Sequence, residues 1–189
     1  MSTELRGLLA RFVGLLEAAG VPFMVAGSFA SSAHGMPRTT QDLDVVIDPP
    51  SLAALDALVR SMAPEQYYVD ADAARDALAR RSMFNVVDLA SGWKVDLIVR
   101  KNRPFSRGEF ARRTALMLLD VPVFVASAED TVVAKLEWSK QAGGSERQRR
   151  DVAGILATVG SELDREYVER WIRDLDLADE WQAAHSTPV

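Results

Sequence analysis

Apolar residues recur at helical spacing over residues 3–19, where Leu5, Leu8, Leu9, Phe12, Leu15 and Leu16 fall on one stripe and Gly20 marks the stop. The texture then changes. Pro22 to Gly27 (PFMVAG) is a short apolar run bounded by turn formers, which predicts a strand. The small residues 28–34 predict a short helix before a turn at Gly35-Met36-Pro37. Asp42 to Asp48 predicts the next strand, and Pro49-Pro50-Ser51 ends it and caps a helix over 52–62. An edge strand over 66–70 and a helix over 72–81 follow. Two β-branched runs, 83–89 and 93–99, flank Ala90-Ser91-Gly92 and predict a hairpin. A basic helix around 107–113 and two short strands, 115–120 and 122–126, complete this part. From Ser127 the pattern is helical, with Ser127 to Asp130 as a cap, a break at Gly143-Gly144-Ser145, and further helices over 146–159 and around Trp171. The pattern predicts an α/β (α+β) fold. A mixed sheet flanked by helices occupies residues 1–126, and a helical C-terminal segment, 127–189, packs on that core.

Composition narrows the class. The chain has 189 residues, long enough for a domain with a substantial core, and 48% of them are hydrophobic and 26% charged, as in ordinary globular proteins. No apolar run nears the roughly 20 residues that cross a bilayer, and no basic region precedes an apolar stretch at the N-terminus, so neither a membrane span nor a signal peptide is expected. The absence of cysteine excludes disulfides and thiolate metal sites and fits a cytoplasmic protein. A net charge of −5 argues against a general duplex-DNA binder. The charge is uneven, though. Lys94, Arg100, Lys101, Arg103, Arg107, Arg112 and Arg113 cluster, and Arg147, Arg149 and Arg150 form a second group. Each reads as a solvated surface or as a local phosphate-binding patch.

Three acids stand where acids are disfavoured. Asp42 and Asp44 open an otherwise apolar strand, and alternation points both to one face while Leu43, Val45 and Ile47 take the other. Their Cα atoms should lie roughly 7 Å apart, within reach of a common cation that would offset their repulsion. Asp96 interrupts a second strand, apolar on either side, where a lone buried carboxylate would cost several kcal/mol. If these strands are neighbours, the three carboxylates meet. Oxygen donors without histidine or cysteine suit Mg²⁺ or Mn²⁺ rather than zinc. Asp48, Asp88 and Asp120 read instead as strand-end caps and turn formers. Gly27-Ser28 ends a strand where a helix begins, a place where backbone can approach a ligand closely and free N–H groups can meet an anion.

Gly27-Ser28, then Asp42-x-Asp44, then Asp96 on a later strand resembles the nucleotidyltransferase superfamily related to DNA polymerase beta. The stretch VAGSFASSAHGMPRTTQDLDVVID is most similar to the AbiEii-type branch, which includes toxins of abortive-infection and toxin–antitoxin systems. His34-Gly35, Arg38 and Thr39-Thr40 occupy that branch's places before the aspartates, and Lys135, Arg150 and Asp151 match its helical segment. The resemblance spans roughly residues 20–155. It implies a mixed nucleotidyltransferase sheet and transfer of a nucleoside monophosphate from an NTP to an acceptor hydroxyl. Asp42 and Asp44 would hold Mg²⁺ against the triphosphate. Asp96 would ligate a second ion and act as general base. Gly27 and Ser28 would position the β- or γ-phosphate, with Arg38 and Lys135 as further phosphate contacts. Partners implied are an NTP, RNA as acceptor, and an antitoxin protein.

Two other readings stay open: transfer to an antibiotic or sugar hydroxyl, and a non-catalytic binding or regulatory member of the fold. RNA would need the basic clusters near the acids; a small molecule would need an apolar or acidic pocket. His34 reads as a structural hydrogen-bonding residue and Lys135 equally as half of a salt bridge. Trp93 and Trp138 read as packing residues.

Overall fold

The structure is a computed structural model and describes residues 2–37, 39–40 and 42–188. The chain divides into two units. The first comprises residues 1–25 and 40–125, the second residues 26–39 and 126–189. Residues 26–39, which the hydropathy pattern groups with the sheet, belong to the unit of the C-terminal helices.

The first unit holds a mixed seven-stranded sheet. Its strands are β1 (Phe23–Val25), β2 (Asp42–Ile47), β3 (Tyr67–Val69), β4 (Met83–Asp88), β5 (Lys94–Val99), β6 (Thr114–Leu118) and β7 (Val121–Val125), in the order β3-β4-β5-β2-β1-β7-β6. β2 and β5 run parallel, as do β1 and β7; the other neighbours are antiparallel. The hairpin expected from Ala90-Ser91-Gly92 joins β4 to β5, and β5 lies centrally between β4 and β2.

Alternation gives β2, β4 and β5 one closed face. Leu43, Val45 and Ile47, then Phe84 and Val86, then Val95, Leu97 and Val99 are all 3% exposed or less. Helix α1 (Ser2–Ala18) buries Leu8, Leu9, Phe12 and Leu16 of the expected stripe and adds Val13, while Leu5 and Leu15 are half-buried. The Phe12 ring meets Tyr67 edge to face with centroids 6.0 Å apart. Beside it, Arg11 donates to Asp88 at 2.9 Å and to the Tyr67 hydroxyl at 3.3 Å. The hydrogen bond to Tyr67 raises the Arg11 pKa against the opposing effect of burial, with Asp88 adding to the rise. Asp88 also accepts from the Ser91 amide in the hairpin turn, so it ties the turn and α1 to one strand end. The other strand-end acids are structural too. Asp48 accepts from Arg100 at 2.9 Å, and Asp120 occupies a turn with φ 61°.

Ser51 accepts from the Ala54 amide at the start of α3 (Leu52–Ser61), and Asp70 caps α4 (Ala71–Arg80) through the amides of Asp72 and Ala73. The basic helix starts earlier than expected, as α5 (Pro104–Ala111), because Pro104 suits a first helical turn.

The second unit is helical: α2 (Gly27–His34), α6 (Ala128–Gln141), α7 (Glu146–Val159), α8 (Arg165–Asp174) and α9 (Ala178–His185), with a 3₁₀ turn at Gly160–Glu162. Ser127 caps α6 through the Asp130 amide, and the fully buried Asp130 accepts from the Tyr167 hydroxyl at 2.6 Å, joining α6 to α8. Gly35 lets α2 approach α7: a Cβ there would lie 2.8 Å from the Ile155 amide nitrogen. Trp138 departs from expectation. It stands 57% exposed on α6, because Val132, Val133 and Leu136 take the buried face of that helix.

Candidate active site

In β2 and β5 the register sets Asp42 opposite Lys94 and Asp44 opposite Asp96. Partners in register share a face, as do residues two apart. The four side chains therefore stand at the corners of a rectangle, about 7 Å along each strand and about 5 Å between strands. This face is the one opposite the closed apolar side. Three corners are carboxylates and the fourth is an ammonium group.

Lys94 bridges the figure. Its Nζ lies 3.4 Å from Asp42 Oδ1 and 3.2 Å from Asp96 Oδ2. Burial pulls the Lys94 pKa down, but the hydrogen bond and charge of Asp96, with those of Asp42 behind them, outweigh it and leave the pKa raised. Asn85, opposite Asp96 on β4, donates its amide to the other oxygen, Oδ1. Asp96 is thus held at both oxygens, and its side chain is 10% exposed against 48% for Asp42. The Thr40 hydroxyl lies within hydrogen-bonding distance of the backbone of Asp42, fixing the entry to β2.

Among the described residues no group of three or more histidine, cysteine or acidic side chains is gathered as a metal site. Lys94 stands between two of the three carboxylates. The donor set nevertheless suits a hard divalent cation, since all donors are oxygens and a positive charge is already attracted to them.

The phosphate candidates lie in the second unit or outside the described residues. Gly27 opens α2 with φ 58°, a conformation that a side chain would strain. Ala26 at the N-cap has no side chain with which to cap the first turn, and Ser28 is 6% exposed, its carbonyl accepting from Ser31 Oγ at 3.0 Å. Lys135 is buried in α6 and meets Asp151 of α7 at 2.6 Å; the salt-bridge alternative is the one the structure displays. Arg38 lies outside the described residues. His34 Nε2 donates to the Ala126 carbonyl at 2.7 Å, a structural bond.

No family model and no curated protein matches the sequence. Solved structures do match. The antibiotic-resistance factor ANT(2'')-Ia is 14% identical with a TM-score of 0.63, over 98% of this chain and 100% of that one. A nucleotidyltransferase-like protein from Paracoccidioides brasiliensis is 17% identical with a TM-score of 0.58, over 99% and 94%. The lincosamide antibiotic adenylyltransferase LnuA, determined with lincomycin bound, is 10% identical with a TM-score of 0.53, over 78% and 93%. The fold is that of the nucleotidyltransferases.

Sequence reasoning missed two members of the acid-bearing face. Lys94 was grouped with a basic patch, although alternation from Asp96 already puts it on the same face. Asn85 carried no signal by itself. Only the β4–β5 register brings its amide to Asp96.

Proposed function

We propose that this protein is a metal-dependent nucleotidyltransferase that moves a nucleoside monophosphate from an NTP to a hydroxyl of a small molecule. One observation carries the reading: Asp42, Asp44 and Asp96 share a face of two adjacent central strands, in a fold shared with nucleotidyltransferases. Mg²⁺ or Mn²⁺ bound there supplies charge neutralisation to the triphosphate and the acceptor oxygen. Asp42 and Asp44 would hold the cation. Asp96, kept in place through Asn85, takes the proton of the acceptor hydroxyl. That oxygen bonds to the α-phosphorus as the bond to pyrophosphate breaks. Gly27, Ser28 and Arg38 are assigned to the phosphates from the motif resemblance. Lys135, held by Asp151 in the interior, is assigned a structural role instead.

The choice of a small acceptor rests on the basic side chains. Lys94 is engaged by Asp42 and Asp96, Arg100 by Asp48, Arg103 by Ser106 and Arg107 by Asn102. The Arg113 guanidinium lies over the rings of Phe110 and Phe124, and Arg150 pairs with Glu146. Carboxylate pairing offsets the charge of Lys94, Arg100 and Arg150, three of the side chains an RNA backbone would draw on. Solved structures that share the fold include an antibiotic-resistance factor and an antibiotic adenylyltransferase.

The test is incubation of purified protein with each α-labelled NTP, Mg²⁺, and separate pools of hydroxyl-bearing antibiotics and total RNA, beside Asp42→Asn/Asp44→Asn. Label on a small molecule, lost in the variant, is expected. Label on RNA would favour the RNA acceptor implied by the AbiEii-type resemblance. NTP binding with no transfer to either pool would favour a non-catalytic member of the fold.

A further inference from the structure

Lys94 has a use that neither the fold nor the acid motif assigns. Its Nζ lies 3.4 Å from the carboxylate of Asp42, its register partner on β2, and 3.2 Å from that of Asp96, two residues along its own strand. Asp96 Oδ1 accepts from Asn85 and Oδ2 faces Lys94, so a cation approaching Asp96 Oδ2 meets the repulsion of an ammonium 3.2 Å from that oxygen. Asn85 is no such obstacle, because its amide carries no charge to repel a cation. The Lys94 side chain is 41% exposed, and its four-carbon stem is free to turn its head group towards solvent.

We propose that Lys94 is a resident counter-ion of the carboxylates, which a divalent metal must displace. The inference rests on the metal-site reading above. While the bridge is closed, Lys94 offsets the repulsion between Asp42 and Asp96 and keeps the strand ends aligned. When metal enters, the released ammonium stays tethered beside the site, where it can meet a phosphate oxygen. Binding of the metal and closure of the bridge are therefore mutually exclusive. If the bridge is closed about nine-tenths of the time, the apparent metal affinity is lowered about tenfold.

The experiment is titration calorimetry with Mn²⁺ alone, without nucleotide, on the wild-type chain, Lys94→Met and Lys94→Arg. Lys94→Met is expected to bind Mn²⁺ about tenfold more tightly than the wild type, with Lys94→Arg close to the wild type because its charge remains. A parallel melting measurement is expected to show a larger Mn²⁺-induced rise in Tm for Lys94→Met. If Lys94→Met does not give folded protein, Lys94→Gln, which keeps a donor but no charge, carries the same expectation. Equal or weaker Mn²⁺ binding by the uncharged variant overturns the counter-ion role and leaves the metal site standing. Absence of binding in every variant, or binding that survives Asp42→Asn/Asp44→Asn, removes the metal-site reading and this inference with it.

Discussion

Two of the lysine–aspartate contacts, one in each unit, differ in their surroundings. Lys135 meets Asp151 at 2.6 Å between α6 and α7, with the two side chains 5% and 6% exposed. Lys94 is shared by Asp42 and Asp96 at longer range, is 41% exposed, and has a third acid, Asp44, on the same face. A buried pair repays its desolvation only when both partners stay together. A half-exposed lysine shared between carboxylates is screened by water and easily exchanged. The first contact joins helices. The second leaves a half-exposed positive charge on a face that carries three acids.

Breaking each contact should therefore give opposite signatures. The largest effect is expected from Asp44→Asn. Nucleotidyl transfer should fall about a thousandfold or more, worth roughly 4 kcal/mol in the barrier, with little change in Tm. A variant of ordinary activity would remove Asp44 from the site. Next is Asp151→Ala, which leaves a buried ammonium without this carboxylate. Urea unfolding should show a loss of about 3–5 kcal/mol, most of it recovered in Lys135→Met/Asp151→Leu. A loss confined to activity would move Lys135 back towards the phosphates.

Lys94→Met should cost no more than about 1 kcal/mol of stability, as expected for an exposed pair. The sign of its pH dependence follows from the raised Lys94 pKa. The bridge contributes fully below the ordinary lysine value of 10.5 and is lost as pH rises through the folded value. Unfolding curves of the wild type and variant should therefore differ by a constant amount between pH 6 and 9 (about three units, all below that range). A difference that vanishes near neutrality would break the assignment. The smallest effect belongs to Lys140 and Asp176 on the surface. The hydrogen bond from Lys140 holds the Asp176 pKa below its ordinary 3.8. Any contribution is present above that value and fades as pH falls through the folded one, so Lys140→Ala should shift Tm barely at pH 7 and not at all at the acid end.

Much of the fold was legible because period is written locally. The stripe of α1, the hairpin about Ala90-Ser91-Gly92 and the caps at Ser51 and Ser127 each depend on residues within a few positions of one another. Trp138 was misread for the same reason: its neighbours are apolar, but helical phase turns it outward. The assignment of residues 26–39 to the helical unit was not legible, since Gly35 reveals its close approach only against Ile155.

The candidate site divides in the same way. Alternation in one strand determines that Asp42 and Asp44 share a face, and in another that Lys94 and Asp96 do, because successive side chains must point apart. It does not determine which strands are neighbours or in what register. Tertiary structure decided that β2 lies parallel to β5 with Asp44 opposite Asp96 and Asp42 opposite Lys94. It also decided that Asn85 reaches Asp96 and that Lys135 meets Asp151. Those are contacts between residues distant in the chain, made only when the sheet and the helices pack, and no local pattern encodes them.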